Sequence, residues 1–259
     1  MKVSVITVVF NRIDTIRECL NSVQSQQDCE FEHVIIDGAS TDGTTEVILE
    51  YKNKNANVVV KSEPDQGIYE AINKGLATAT GGIIGFLHSD DIFCDKRALK
   101  TISDSLTNSP YDGCFGLCKY TSNFSKRDVL RVYSSYKNWK ILLPFGLIPP
   151  HSTLYLKREI YEKYGNYNQS YKICGDFDYF CRLALSKVNL LNSQDYGVLM
   201  RIGGASASSF KAVNKEITTA LKNNRIRSLK GMIYIRYLLK AMELRPSYLT
   251  IVFGRYKKL

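Results

Sequence analysis

The sequence predicts an α/β fold: an open, mostly parallel sheet with helices on both faces, followed by a basic helical appendage. Three observations carry this expectation. Over about the first 110 residues, apolar β-branched runs alternate with segments of helical period, the pattern of strand–helix–strand crossovers. The first of these runs is nearly continuously apolar, which suits a strand buried on both faces. The charge is also uneven. Residues 211–259 hold 12 Lys/Arg against two acids, Glu216 and Glu243, whereas the 23 basic and 23 acidic groups before them cancel.

Each element follows in order. Val3 to Phe10 reads as a buried parallel strand. Residues 14–26 read as a helix with Ile16, Cys19, Leu20 and Val23 on one face. Phe31 to Ile36 is a second strand, ending at Asp37, and Asp42 is positioned to cap a helix over about 43–52. Val58 to Val60 is a third strand. Gly67 then opens a helix whose Ile68, Ile72 and Leu76 recur every four residues. Ile83 to Leu87 is a fourth strand, ending at His88-Ser89-Asp90-Asp91. After about residue 110, short strand patterns at 114–121, 129–134, 152–157 and 196–202 surround a helix starting near Asp176. The small-residue stretch Gly203 to Ser209 marks a boundary. It divides a main domain, 1–210 (halves of about 1–110 and 111–210), from a basic helical tail, 211–259.

With 259 residues, 44% of them hydrophobic, the chain has enough apolar surface for a sizeable core. No run approaches the ~18 apolar residues of a spanning helix. Met1-Lys2 leads straight into a strand pattern, which argues against a leader. The seven cysteines form no C-x-x-C pair, so reduced thiols in a cytosolic compartment are expected.

Ligands of open α/β sheets bind outside the carboxyl ends of the strands. Asp37, Asp65 and Asp90-Asp91 fall at or just after those ends. Converging carboxylates repel unless a cation joins them, and hard oxygen ligands select Mg²⁺ or Mn²⁺ alongside substrate phosphates. The competing reading makes one of Asp90 and Asp91 the cap of a helix at about 95–107. No phosphate-binding glycine motif, G-x-x-x-x-G-K-[ST] or G-x-G-x-x-G, follows the first strand, which counts against a P-loop NTPase or a dinucleotide dehydrogenase.

Seven ordered segments carry a resemblance. They are Val5-Ile-Thr-Val-Val-Phe-Asn11, Ile36-Asp-Gly-Ala-Ser-Thr-Asp-Gly-Thr44, Ser62-Glu-Pro-Asp-Gln-Gly-Ile-Tyr-Glu-Ala-Ile-Asn-Lys-Gly75, Phe86-Leu-His-Ser-Asp-Asp91, Pro150-His151, Lys172-Ile-Cys-Gly-Asp-Phe-Asp178 and Gly203-Gly-Ala-Ser206. Across about residues 1–210 the chain resembles family 2 of the glycosyltransferases, most of all the bacterial branch that builds O-antigen, capsule or colanic-acid-type repeats. The resemblance implies a GT-A fold, inversion by single displacement, a nucleotide-diphospho-sugar donor (UDP favoured) and Mn²⁺ or Mg²⁺. It implies that Thr7 and Phe10 lie against the nucleobase, that Asp37 accepts a hydrogen bond from it, and that Asp65 lines the nucleotide–sugar pocket. Tyr69 and Asn73 share a helix face turned from the Ile68/Ile72/Leu76 stripe and are expected at the donor; Lys74 reads as a phosphate contact or as surface, with surface favoured. Ser89 and Asp90 are expected at the donor, and Asp90 and Asp91 at the metal. His88 stands where many members carry an acid, and reads equally as a ligand or as a packed strand-end residue. His151 is expected near the diphosphate or as a hydrogen-bonded structural residue. Residues 203–206 are expected to form a loop closing over donor.

Asp176 matches the family's catalytic base. The residues agree: Asp178 has Arg182 four positions on to pair with, whereas Asp176 has no basic residue three or four positions ahead and reads as helix cap or base, with base favoured on the motif. The acceptor is expected to be a lipid-linked glycan at the cytoplasmic face of the inner membrane, contacted through the basic tail, which reads otherwise as a solvated helical bundle or an oligomer contact. Two other readings remain at this point. A nucleotidyltransferase that forms sugar nucleotides would want a glycine-rich loop after the first strand, where Phe10-Asn11-Arg12-Ile13-Asp14 has none. A nucleic-acid-binding protein would want a basic face on the neutral main domain, so no nucleic-acid partner is expected.

Overall fold

The computed structural model describes residues 1–122, 124, 129–133, 138–202, 209–229 and 231–242. Strand β1 (Val3–Val9) is buried along its whole length. It pairs in parallel with β2 (Phe31–Asp37) on one side and β4 (Ile83–Phe86) on the other, and β2 pairs in parallel with β3 (Val58–Ser62). The crossovers are α1 (Ile13–Gln24), α2 (Thr44–Lys54) and α3 (Ile68–Thr78). This half follows the sequence pattern closely. Helix α1 buries Ile16, Cys19, Leu20 and Val23, the stripe its spacing predicts.

Beyond β4 the sheet becomes mixed. It continues through β8 (Tyr155–Lys157), β6 (Gly113–Thr121), β9 (Leu190–Arg201) and β5 (Asp91–Phe93). The order is β3-β2-β1-β4-β8-β6-β9-β5, with β7 (Val129–Tyr133) also paired to β6. Strand β8 is antiparallel to both β4 and β6. Helices α4 (Ala98–Leu106), α5 (Arg158–Tyr164) and α6 (Gly175–Leu185) complete this half, and α7 (Phe210–Asn223) and α8 (Met232–Met242) follow.

Several local expectations are corrected. Gly43, at φ 94°, is the residue before α2. Asp42 acts from one position earlier, its carboxylate accepting from the backbone N–H of Thr44 (3.0 Å) and Ile13 (3.1 Å). Neither Asp90 nor Asp91 caps a helix, because β5 intervenes and Asp95 accepts the Arg97 N–H before α4. On α3, Ile68 is exposed while Tyr69 is buried, so Tyr69 belongs to the core face from which its spacing excludes it. Helix α5 is a further element that the strand-dominated reading of this half did not contain.

The tail's first helix is docked. Ile217, Ala220 and Leu221 of α7 join the same core as Ile6 and Val8 of β1 and Phe177 and Phe180 of α6. Burying each large aliphatic side chain contributes about 1.5–3 kcal/mol. The Glu216 carboxylate accepts backbone N–H groups of Lys172 (3.0 Å), Ile173 (2.9 Å) and Cys174 (2.8 Å). The 203–206 loop and the tail beyond residue 242 lie outside the described residues. All seven cysteines are thiols rather than disulfides. Among the described residues no helix is long and apolar enough to cross a membrane.

Candidate active site

The carboxyl ends of β1 and β2 are locked together by their loops. Asn11 Oδ1 accepts the Thr41 N–H (2.8 Å), and Ser40 Oγ accepts the Asn11 N–H (2.8 Å). Asp37 is the anchor. Its carboxylate accepts the Ser40 N–H (3.2 Å) and the hydroxyls of Ser40 (2.5 Å), Thr45 (2.8 Å) and Ser62 (2.7 Å). Those four fill the capacity of a carboxylate, and the residue is fully buried. Asp37 therefore holds the loop through its side chain. Thr7 is also committed inward: its hydroxyl donates to the Leu87 carbonyl (2.8 Å) and bonds His33 Nε2 (2.9 Å).

An open acid stands beside them. Phe10 is 57% exposed at the end of β1. Asp65 Oδ1 accepts the Gly67 N–H (2.9 Å). Its Oδ2 lies 2.7 Å from where a Cβ on residue 38 would stand, and the Phe10 ring lies 3.3 Å from the same point. Only glycine at 38 lets this carboxylate approach the strand end next to the exposed ring. Phe10 and Asp65 thus form a stacking face with an adjacent acceptor.

The turn after β4 carries the next group. Asp90 is half-buried, Ser89 and Asp91 fully so. Asp91 Oδ2 accepts from Ser152 Oγ (2.7 Å), whereas its Oδ1 is buried without a partner. Burial first, and the neighbouring Asp90 second, hold the Asp91 carboxyl well above the usual carboxylate range. Among the described residues neither acid has an ion-pair partner. An orphaned buried carboxylate oxygen beside a second, accessible carboxylate fits a divalent cation. No three His, Cys, Asp or Glu side chains gather closely enough to enclose one among the described residues, so an ion here would need substrate oxygens in its shell, as Mg²⁺ usually does.

His88 packs against His151, with ring centroids 5.5 Å apart and Nε2 to Nδ1 at 3.4 Å. Burial pushes both imidazoles toward the neutral form. His151 stacks on Phe86 (4.9 Å), and its Nε2 bonds the Tyr167 hydroxyl (2.8 Å). Tyr167 stacks on Tyr69 at 6.1 Å and an 11° interplanar angle. The Tyr69 hydroxyl donates to the Ile173 carbonyl (2.7 Å), accepts the Asp176 N–H (3.3 Å) and lies 3.5 Å from Asp176 Oδ1. A continuous column of side chains therefore runs from the Asp90-Asp91 turn to Asp176.

Asp176 sits half-exposed in the first turn of α6, and its Oδ1 accepts the Phe177 N–H (2.8 Å). Asp178 is buried and bonded to Arg182 (3.2 Å), as the four-residue spacing predicts. Asn73 grips the Tyr167 backbone on both sides (2.9 Å each), which makes it a clamp on the column. Lys74 is partly buried and pairs with Glu63 (3.0 Å) and Glu70 (3.1 Å). Tyr167 is the member that sequence reasoning missed. It lies in a segment without periodicity, and 17 tyrosines in the chain give its type no weight.

A sheet whose parallel half ends in acids, joined to a mixed half that brings a helix-borne carboxylate to the same region, defines a GT-A glycosyltransferase. Residues 4–165 match the model of Glycosyl transferase family 2. The chain belongs to that family and is a glycosyltransferase. A PGL/p-HBAD biosynthesis glycosyltransferase of Mycobacterium tuberculosis is 26% identical over 182 residues, covering 69% of this chain and 68% of its own. An uncharacterized glycosyltransferase of the same species is 29% identical over 185 residues, 71% and 69% of the two chains. Among solved structures, Staphylococcus aureus TarS 1-349 in complex with UDP-GlcNAc superposes with a TM-score of 0.66 at 24% identity, covering 86% of this chain and 67% of that one. This chain spans only 40% of the longer TarS chain. A Pyrobaculum calidifontis mannosyltransferase in complex with GDP-Man and Mn²⁺ superposes at 0.60 with 17% identity, covering 96% of this chain and 82% of its own. These likenesses carry the fold.

Proposed function

We propose that this glycosyltransferase moves a sugar from a nucleoside-diphosphate sugar, UDP-linked by preference, to a hydroxyl of a lipid-linked glycan, with inversion, in bacterial surface polysaccharide assembly of the O-antigen or capsule type. The observation that carries the proposal is the column His88–His151–Tyr167–Tyr69–Asp176, which joins the paired-acid turn to the proton acceptor. The exposed Phe10 ring offers a stacking face for the base, and Asp65 Oδ2 offers an acceptor for its N–H. The chemistry of the site then divides between the two ends of the column. Asp90 and Asp91 would hold Mn²⁺ or Mg²⁺, which when bound supplies Lewis-acid neutralisation of the leaving diphosphate. Asp176, half-exposed, takes the proton of the acceptor hydroxyl as that oxygen attacks the anomeric carbon from the face opposite the leaving group. Tyr69 and the Phe177 N–H fix the orientation of the carboxylate, which reduces the reorganisation that proton transfer needs. The twelve cations of residues 211–259 support a station at the cytoplasmic face of an anionic membrane.

The test uses the purified full chain, MnCl₂ and a panel of UDP-, GDP- and dTDP-sugars. We expect metal-dependent release of UDP from at least one donor. Asp176→Asn should lower the rate by about 10²–10⁴-fold, the range of general-base catalysis, and leave UDP affinity within about threefold. Unchanged turnover in Asp176→Asn, or loss of UDP binding in it, removes the base assignment. Absence of turnover with every donor removes the proposal.

A further inference from the structure

Among the described residues, the C-terminal helical pair presents a face that nothing covers and that the transfer chemistry does not use. Phe210, Leu229 and Tyr234 are 71%, 76% and 60% exposed, and Ile235 is exposed beside them. Phe210 and Tyr234 are linked through the ring of Tyr237. Phe210 packs edge-on against Tyr237 (5.3 Å), and Tyr237 lies 6.5 Å from Tyr234. Leu229 is tied to the start of α8 through the Met232 N–H, which donates to its carbonyl (3.0 Å).

Between residues 209 and 242 the fully exposed charge has one sign. Lys211, Lys215, Lys222, Arg225 and Arg227 are exposed, and none has an ion-pair partner among the described residues. Glu216 is the one acid between residues 209 and 242. Its carboxylate is already taken by three backbone N–H groups of 172–174. A surface adapted to water alone intersperses both signs and scatters its large apolar groups. Exposed Phe, Leu, Tyr and Ile among unopposed cations match the acyl boundary and headgroups of an anionic bilayer.

We propose that this face, formed by Phe210, Leu229, Tyr234 and Ile235 with Arg225 and Arg227 at its border, docks the protein on anionic phospholipid membrane. The proposal deepens the reading of the acceptor as lipid-linked, by naming the surface that would bring the chain to it. The docked element is mechanically tied to the chemistry. Glu216 of α7 clamps residues 172–174, and Asp176 follows two residues later. Docking α7 and α8 therefore fixes the height of the proton acceptor above the lipid surface.

The experiment is co-sedimentation of the full chain with vesicles of equal phosphatidylglycerol and phosphatidylcholine, and with phosphatidylcholine alone. Binding is expected on the anionic vesicles, weakened by 0.5 M salt, and absent on the neutral ones. Two double variants probe the two components. Arg225→Glu with Arg227→Glu reverses two border charges, and Tyr234→Ser with Ile235→Ser removes apolar surface. Each should weaken binding by about tenfold or more, with thermal melting and metal-dependent donor hydrolysis as in the parent chain. These four side chains are exposed, so their replacement leaves the core intact. Parental binding in both variants overturns the proposal. So does a parent that ignores anionic vesicles, or one that forms a dimer through this face, lost in the same variants. Donor hydrolysis is read separately, so failure of docking and failure of the transfer reading are distinguishable.

Discussion

Asp37 and Asp65 divide tasks in a way their residue types do not reveal. Both are acids following strands, and the resemblance assigns the base contact to Asp37. The structure fills Asp37 with Ser40, Thr45 and Ser62 and leaves Asp65 Oδ2 open beside Phe10. The donors to Asp37 come from positions 3, 8 and 25 residues away, a convergence that linear spacing cannot display. Thr7 was similarly illegible, because β1 is buried on both faces and alternation does not distinguish its sides. The consequence is a crossed outcome. Asp37→Ala should destabilise the fold by about 2–4 kcal/mol through orphaned hydroxyls, seen as a lower midpoint in urea. Asp65→Ala should leave that midpoint unchanged and weaken UDP binding at least about fivefold by calorimetry, the cost of one hydrogen bond. If Asp65→Ala binds UDP like the parent, the base is read elsewhere.

Between α3 and α6 a single close packing sets the site. A Cβ on Gly175 would stand 2.7 Å from the Tyr69 ring, so α6 begins where it does because residue 175 has no side chain. That contact also explains the reversed face of α3. The four-residue spacing of Ile68, Ile72 and Leu76 is real, and Ile72 and Leu76 are buried. Ile68 sits in the first turn, beyond the reach of the core, and Tyr69 turns inward to meet Gly175 and stack on Tyr167. The long, periodic elements were thus legible, and the packing partner of the first turn, more than a hundred residues away, was not. Gly175→Ala should push α6 off Tyr69 at a cost of about 1–3 kcal/mol. Because the shift moves Asp176 and not the donor cluster, kcat should fall while the donor KM stays within about twofold. A parental kcat together with a parental melting curve would mean that the packing yields at no cost and does not position Asp176.

At the scale of the molecule, the two ends of the sheet serve different purposes. The carboxyl ends of β1, β2 and β4 carry the loops of the site. The amino ends are pinned by Glu32, whose carboxylate accepts from Lys2 Nζ (2.8 Å), from the hydroxyls of Ser4 (2.5 Å) and Thr80 (2.6 Å), and from the Gly81 N–H (3.2 Å). Burial, the largest single influence, would raise its pKa, but the donors from Lys2, Ser4 and Thr80 together outweigh it and hold the carboxyl at about 2, below the ordinary 4.5. A group depressed in the folded state favours folding fully above its unfolded value. That contribution disappears as pH falls through the folded one. Glu32→Gln should therefore lower stability at pH 7 by about 1–3 kcal/mol. The gap between parent and variant in urea should close progressively from about pH 5 to pH 2, because the parent alone takes up the proton. A gap that stays constant across that window would mean that Glu32 acts through shape and not through charge. The parallel half and its strand ends were readable because its burial pattern is local. The docking of α7 was not, since Ile217, Ala220 and Leu221 are spaced among lysines whose net charge reads as a detached tail, while their core partners lie in β1 and α6. Glu32 ties together three segments of that readable half, so acid should release the amino-end seam before it reaches the buried strands, and the pH series on Glu32→Gln tests that order directly.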